Sequence, residues 1–353
     1  MSIDATGTFT AARTDEQQPQ GTGRHVTAVA HPNMALVKYW GKRDESLILP
    51  VAGSLSMTLD IFPTSTQVTL TPESATDIVI LDGAPAAPGA ATRVREFLDL
   101  VRSLAGRHDR ALVESRNTVP TGAGLASSAS GFAALAAAAA TAYGVPLDPR
   151  ALSRLARRGS GSACRSIFGD FAQWHAGTGF GAQGDESSFA EPVESALDPA
   201  LVIAVVDTGP KAVSSRVAMR ESAATSAFYL PWVSANAQDL EQMRRALAGG
   251  DLERVGWIAE RNALGMHALL MVARPAVRYL SPYSVAVLDR VERLRKTGTT
   301  AYATIDAGPN VAVLCAREDA AKVVEALREL GDFVTTHIAG RGPGVTVSVQ
   351  DNS

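Results

Sequence analysis

Residues 120–135 read PTGAGLASSASGFAAL. Gly122 and Gly124 permit positive φ and close backbone approach, so the first five residues form a turn. Ser127, Ser128 and Ser130 then open an Ala-rich run over 133–143, whose helix propensity is very high. Residues 111–117, just before, alternate as a strand does. The order is therefore strand, Gly/Ser loop, helix. Serines at a helix start satisfy orphan amides, and the remaining N–H groups with the macrodipole attract anions. The stretch lacks the Gly-Lys-Ser/Thr of the common nucleotide loop. Two readings stay open at this point: a phosphate cradle, or a capped core helix with a flexible entry.

The 353 residues, 46% hydrophobic and 20% charged, suffice for two domains or one large α/β unit. A net charge of -3 provides no bulk field for nucleic acid or an anionic membrane, so an anionic ligand needs a local cluster. Two cysteines, Cys164 and Cys315, make no disulfide framework and show no metal spacing, which points to a reducing cytoplasm. No run is long and apolar enough to span a bilayer. Residues 1–23 lack a hydrophobic core and read as a polar, mobile tail.

Strand patterns at 26–30, 54–61, 67–70 and 77–81 precede any helix, which favours α+β over a doubly wound sheet. Helical spacing covers 91–104, with Gly106 as a stop, and Asp148 caps a helix over 149–157. Residues 171–175 and 189–194 read as strands around a glycine-rich turn region, and 194–199 as a domain boundary. The second half mixes helices (213–221, 234–248, 251–264, 282–296, 320–330) with strands (201–207, 301–305, 311–315, 345–349).

Four constellations carry chemistry. HPNMALVKYWGK (31–42) brings Lys38, Tyr39 and Lys42 together, a patch suited to a phosphate or diphosphate, or else an edge strand with solvated lysines. GSGSACRSIF (159–168) offers Ser160, Gly161 and Ser162 as an anion nest entering a helix, with Arg165 one turn in, or else an ordinary capped helix. KAVSSR (211–216) repeats that logic with Lys211, Ser215 and Arg216, unless Asp207 simply caps the turn. ATIDAGPNV (303–311) places Asp306 at a strand end, where a carboxylate is aimed into a cleft or sits in a plain turn. His267, His175, Met266, Met271 and Trp257 read as packing. The coincidence of anion nests, Lys/Tyr patch, Arg and Asp suits a ligand with phosphates and a carboxylate, and phosphoryl transfer.

PTGAGLASSA resembles the phosphate loop of the galactokinase, homoserine kinase, mevalonate kinase and phosphomevalonate kinase (GHMP) superfamily. Together with HPNMALVKYWGK, GSGSACRSIFG, KAVSSR, NALGMHA and TIDAGPNV, it resembles the diphosphomevalonate decarboxylases from about residue 26 to the C-terminus. Met34 and Val37 are mild departures in strand packing. The resemblance implies an α+β, two-domain GHMP-kinase-like fold, with domains at 24–196 and 197–350 and the active site in the inter-domain cleft. It implies ATP-dependent decarboxylation of mevalonate 5-diphosphate through phosphorylation of the 3-hydroxyl. By the same resemblance Asp306, Lys38, Arg165 and Ser215 are catalytic. Tyr39, Lys42, Ser160, Gly161, Ser162 and Arg216 bind the substrate. Asn117, Gly122, Ala123, Gly124, Leu125, Ala126, Ser127, Ser128 and Lys211 bind ATP. Mg²⁺ is implied by ATP, with no protein ligands assigned, and a homodimer is expected. The alternatives are a phosphomevalonate decarboxylase, a small-molecule kinase of the same superfamily, or a non-catalytic binding protein on this scaffold.

Overall fold

The computed structural model describes residues 25–118, 127–207, 209 and 212–350. Eight strands come first: β1 (His25–Ala30), β2 (Asn33–Val37), β3 (Lys42–Asp44), β4 (Leu49–Pro50), β5 (Ser54–Thr58), β6 (Thr64–Thr71), β7 (Ile78–Leu81) and β8 (Ala84–Pro85). Helix α1 (Pro88–Ala105) and strand β9 (Arg110–Asn117) lead to α2 (Ser127–Ala142) and α3 (Pro149–Gly159). A 3-10 segment, Gly161–Ile167, precedes β10 (Phe171–Trp174), α4 (Gly181–Ser187) and β11 (Ala190–Val193). The second half runs β12 (Pro199–Val205), α5 (Ser215–Thr225), α6 (Tyr229–Ala248), α7 (Leu252–Met271) and α8 (Pro282–Lys296). It closes with β13 (Ala301–Thr304), β14 (Val311–Ala316), α9 (Ala320–Arg328), β15 (Thr335–Ala339) and β16 (Thr346–Gln350).

Three large sheets organise these elements, and β3 and β4 form a separate two-stranded pair. The largest has the order β16-β1-β6-β9-β7-β8, and α2 packs on it. Residues 133–140 of α2 are all buried, against Val26, Ala28, Ala30 and Val68. Their small side chains let helix and sheet approach closely, which is why an Ala-rich run serves here. A second sheet, β11-β10-β5-β2, has β2 at its edge. The third, β13-β14-β12-β15, alternates inward and outward along β12. Ala200, Val202 and Ala204 meet α8 and α9, whereas Leu201, Ile203 and Val205 face the other way. That second face shares one core with Met34, Leu36, Leu55 and Met57 of the second sheet and with α6 and α7. The two halves are thus joined by a common hydrophobic core, and the cleft opens at its edge.

Several expectations need correction. The last strand pairs with β1, from His25↔Gln350 to Val29↔Thr346, so residues 346–350 lie in the first sheet and not with the second half of the chain. Partly buried Val347 packs on the first core, which draws the strand there. The segment after Ser160 is a 3-10 helix and not a regular one. The glycine-rich region between β10 and β11 holds α4, and β15 went unread. The tail at 1–23 lies outside the described residues.

Candidate active site

Edge strand β2 delivers Lys38 into the interior just past its end. The side chain is no solvated edge lysine: the residue is 1% exposed. Its ammonium donates to Asp306 Oδ1 at 2.7 Å and to the Ala35 carbonyl at 2.8 Å. Burial pushes the Lys38 pKa down, Asp306 opposes that, and nearby Arg165 adds to it. Asp306 follows β13 in a tethered turn. Asn310 Oδ1 accepts from the Val206 and Asp207 amides, fixing the turn to the end of β12. Ser284, in the first turn of α8, donates to the Pro309 carbonyl at 2.6 Å.

Arg165, in the 3-10 segment, is 2% exposed. Its guanidinium donates to Asn33 Oδ1, Ser56 Oγ and Ser54 Oγ, all neutral acceptors. Among the described residues no carboxylate pairs with it, and each terminal nitrogen keeps a second N–H for a ligand. Burial lowers its pKa. A buried cation held only by neutral groups is costly unless an anion arrives.

Tyr39 packs its ring on Trp174, with centroids 4.6 Å apart. Its hydroxyl is buried and without a hydrogen-bond partner among the described residues, and burial raises its pKa. A Cβ at Gly161 would lie 2.8 Å from the Tyr39 ring, so this position needs glycine. Lys42 reaches the cleft but pairs with Glu45 at 2.5 Å. The Ser128 and Ser160 hydroxyls lie 3.4 Å apart. Ser214 caps α5 through the Val217 amide, which sets Ser215 and Arg216 at that helix's start.

Lys38, Tyr39, Lys42, Ser128, Ser160, Gly161, Ser162, Arg165, Ser215, Arg216 and Asp306 all line one cleft of about 220 Å³. Trp40, Met219 and Met266 supply apolar wall, so Met266 does more than pack. A neighbouring cavity of about 570 Å³ carries Arg93, Arg158, Arg216 and Arg220. A third, about 230 Å³, is lined by Thr64, Asp82, Ser115, Asn117 and Phe132. Ser128 lines the first and third cavities, and Arg93 lines all three. Gly122, Ala123, Gly124, Leu125, Ala126 and Lys211 lie outside the described residues. Ser127 is the first residue of α2, with nothing described of its side chain.

Sequence reasoning missed Arg93, which resembles any solvated helix arginine. It also missed Asn33, Ser54 and Ser56. The last two share one face of the buried strand SLSMT with Thr58, opposite Leu55 and Met57, a polar/apolar alternation that could have found them. His267, discounted as packing, sits beside Asp306, and burial lowers its pKa to about 4. Among the described residues, no group of three His, Cys, Asp or Glu is placed to hold a metal.

The Lys38–Asp306–Arg165 cleft, with a cavity beside it that shares Arg93 and Ser128, belongs to an enzyme of the GHMP-kinase-like fold. The diphosphomevalonate decarboxylase-like N-terminal domain family matches residues 30–190, and the mevalonate 5-diphosphate decarboxylase C-terminal domain family matches 201–340. A Bos taurus diphosphomevalonate decarboxylase is 35% identical over 322 residues, 86% of this chain and 80% of the relative. A Haloferax volcanii phosphomevalonate decarboxylase is 32% identical over 318 residues, 90% of this chain and 95% of the relative. A solved complex of MDDEF with MVAPP, AMPPCP and magnesium superposes with TM-score 0.86 at 44% identity, covering 92% and 98% of the two chains. The chain belongs to the diphosphomevalonate decarboxylase family.

Proposed function

We propose that the protein converts mevalonate 5-diphosphate to isopentenyl diphosphate, with ATP giving ADP, phosphate and CO2. The observation that carries this reading is Arg165: a buried guanidinium with no carboxylate partner among the described residues, in the same cleft as the Lys38–Asp306 pair. A kinase ending at a phosphate ester has no need of a carboxylate clamp.

The residues divide the work. Asp306 orients the 3-hydroxyl and receives its proton as the phosphoryl group arrives. Lys38 holds Asp306 and offers positive charge to the transferred group. Arg165 grips the substrate carboxylate bidentately. Once the 3-oxygen is phosphorylated, its C–O bond breaks with loss of phosphate. The C–C bond to the carboxylate supplies the electron pair for the new double bond, and CO2 departs. The ion pair to Arg165 vanishes as CO2 forms, so Arg165 acts by orientation. Trp40, Met219 and Met266 keep water from the reacting carbon.

Tyr39, Lys42, Ser160, Gly161, Ser162 and Arg216 suit the diphosphate. The nucleoside fits the cavity with Asn117, and Ser128 with Arg93 stands where its phosphates would pass into the main cleft. The Ser128 and Ser215 hydroxyls, hard oxygen donors in the cleft, would help hold the Mg²⁺ that comes with ATP, which would supply neutralisation of phosphate charge during transfer. The reading extends to a cytoplasmic homodimer, with Cys164 and Cys315 both buried and free. The phosphomevalonate decarboxylase among the relatives keeps the 5-monophosphate as the second substrate to test.

The test uses purified protein, Mg-ATP and either mevalonate 5-diphosphate or the monophosphate, with ADP and CO2 both quantified. The expected result is equal ADP and CO2 from the diphosphate, reduced at least about 10²-fold in Asp306→Ala. ADP without CO2 would make the protein a kinase.

A further inference from the structure

The cavity of about 570 Å³ beside the cleft shares Lys42, Ile48, Arg93 and Arg216 with it. Five cationic side chains line this cavity, against two carboxylates, Glu45 and Glu96. Several of the cations are already engaged. Lys42 pairs with Glu45, and Arg220 with its neighbour Glu221. Arg93 donates to the Gly159 carbonyl at 3.2 Å and lies over the Phe132 ring. Arg158 and Arg216 have no ion pair and no hydrogen bond among the described residues. Arg216 lines both spaces, whereas Arg158 lines the larger cavity and not the cleft.

The end of α3 fixes where Arg158 stands. Arg157, the residue before it, is fully buried. It donates to the Leu47 and Ser188 carbonyls and pairs with Asp185, so the last turn of the helix cannot rotate freely. Successive residues on a helix diverge, so Arg158 leaves that buried face and reaches the cavity. Gly159 follows, where a Cβ would collide with the Phe132 ring. Arg158 is therefore the last side chain of α3 before the Ser160, Gly161 and Ser162 nest. Asp44, a carboxylate whose field reaches Arg158, is engaged instead by the Ser46 hydroxyl and the Leu47 amide.

We propose that Arg158 binds the terminal phosphate of the substrate and sets the preference for a 5-diphosphate over a 5-monophosphate. This inference rests on the proposed binding of the diphosphate by Lys42 and Arg216. Both residues line both spaces, so a group held by them lies at the boundary, and the larger cavity is what lies beyond it. The first phosphate is met by the nest and Arg216. A second brings further negative charge and oxygens into the cavity, where the unpaired fork of Arg158 receives them. A monophosphate ends short of it. Arginine near a helix C-terminus also complements the helix dipole, but that role makes no distinction between the two substrates.

The test compares the native full chain with Arg158→Gln and Arg158→Lys, using mevalonate 5-diphosphate and the 5-monophosphate. Arg158→Gln is expected to raise KM for the diphosphate about tenfold, with kcat within about twofold. The monophosphate KM, or its inhibition constant where it is not turned over, should stay within about twofold. Arg158→Lys, a point charge without the fork, should recover part of the preference. Equal losses with both substrates, or no loss with either, would overturn the proposal, as would a native chain that does not prefer the diphosphate. A second arm needs no turnover: calorimetric titration with inorganic diphosphate and with inorganic phosphate. The native chain should bind the diphosphate more tightly, and Arg158→Gln should narrow that gap about tenfold. A native chain with no gap, or a gap that Arg158→Gln leaves unchanged, sinks the proposal. Absence of CO2 beside a narrowed gap would count against the decarboxylase reading only.

Discussion

Lys38 and Arg165 are both cations brought almost wholly out of water, and they are held differently. Lys38 has a carboxylate, Asp306, whereas Arg165 has hydroxyls and an amide oxygen. That asymmetry leaves one positive charge to be met by ligand. It also shows why local pattern was insufficient: Arg165 and Asp306 stood out by residue type, but the partners that hold Arg165 stand on β2 and β5, far away in sequence. His267 was visible and set aside, because a histidine on an apolar helix face gives no sign of which charges it will lie near. Its burial has a consequence for stability. The ordinary pKa is 6.5 and burial lowers the folded value to about 4, despite Asp306 nearby. The unfolded chain therefore binds the proton first as pH falls, and the native state loses stability between 6.5 and about 4, by up to roughly 3 kcal/mol. Urea midpoints at pH 7 and pH 4.5 should fall further for the native sequence than for His267→Asn, which cannot titrate there. Equal falls in the two proteins would show that the ring is not buried in this way.

At the scale of elements, legibility followed capping and periodicity. Helix α8 was read to its ends, because Ser281 and Ser284 form a capping box around Pro282 and the apolar stripe follows at once. Asp148 capping α3 and Gly106 ending α1 in the left-handed conformation were legible for the same reason. Helix α4, GAQGDES, was not, since two glycines in seven residues argue against any helix. Strand β15 was missed because TTHIA has one buried residue and no clear alternation. The 3-10 segment shows what sequence does and does not reveal. Its Gly/Ser composition flagged an anion nest, but not that Gly161 lies against the Tyr39 ring. A methyl group there meets the ring's Cε1 at 2.8 Å and its hydroxyl oxygen at 3.0 Å, so the ring must swing away. Gly161→Ala should raise KM for mevalonate diphosphate about tenfold, about 1.4 kcal/mol of binding, with a smaller change in kcat. An unchanged KM with a lowered melting temperature would mean that the contact serves only packing.

The whole molecule is less divisible than its sequence. The sequence pattern suggests a boundary at residues 194–199, yet one core spans β2 and β5 of one sheet, β12 of another, and α6 and α7. Such a shared core holds Lys38 and Asp306, which are 268 residues apart in sequence, in fixed register. The C-terminal segment completes the stitching. Gly342 donates to the Thr58 carbonyl and accepts from the Asp170 amide, and Val345 donates to the Ile167 carbonyl at the end of the Arg165 segment. Strand β16 then crosses back to cover β1. Pairing between chain ends is set by long-range register, which no local window carries. Truncation after Val345 separates these roles. It removes five register pairs with β1 and bares that edge, while the Val345 tie to Ile167 remains. Each backbone hydrogen bond lost is worth roughly 0.5–1.5 kcal/mol, so unfolding in urea should shift to clearly lower concentration. Turnover at 25 °C should persist, because the Arg165 segment keeps its anchor. If the truncated chain is as stable as the whole, β16 contributes nothing to the first sheet. If stability falls and turnover vanishes with it, the strand also supports the cleft, through β1 and the α2 face beneath it.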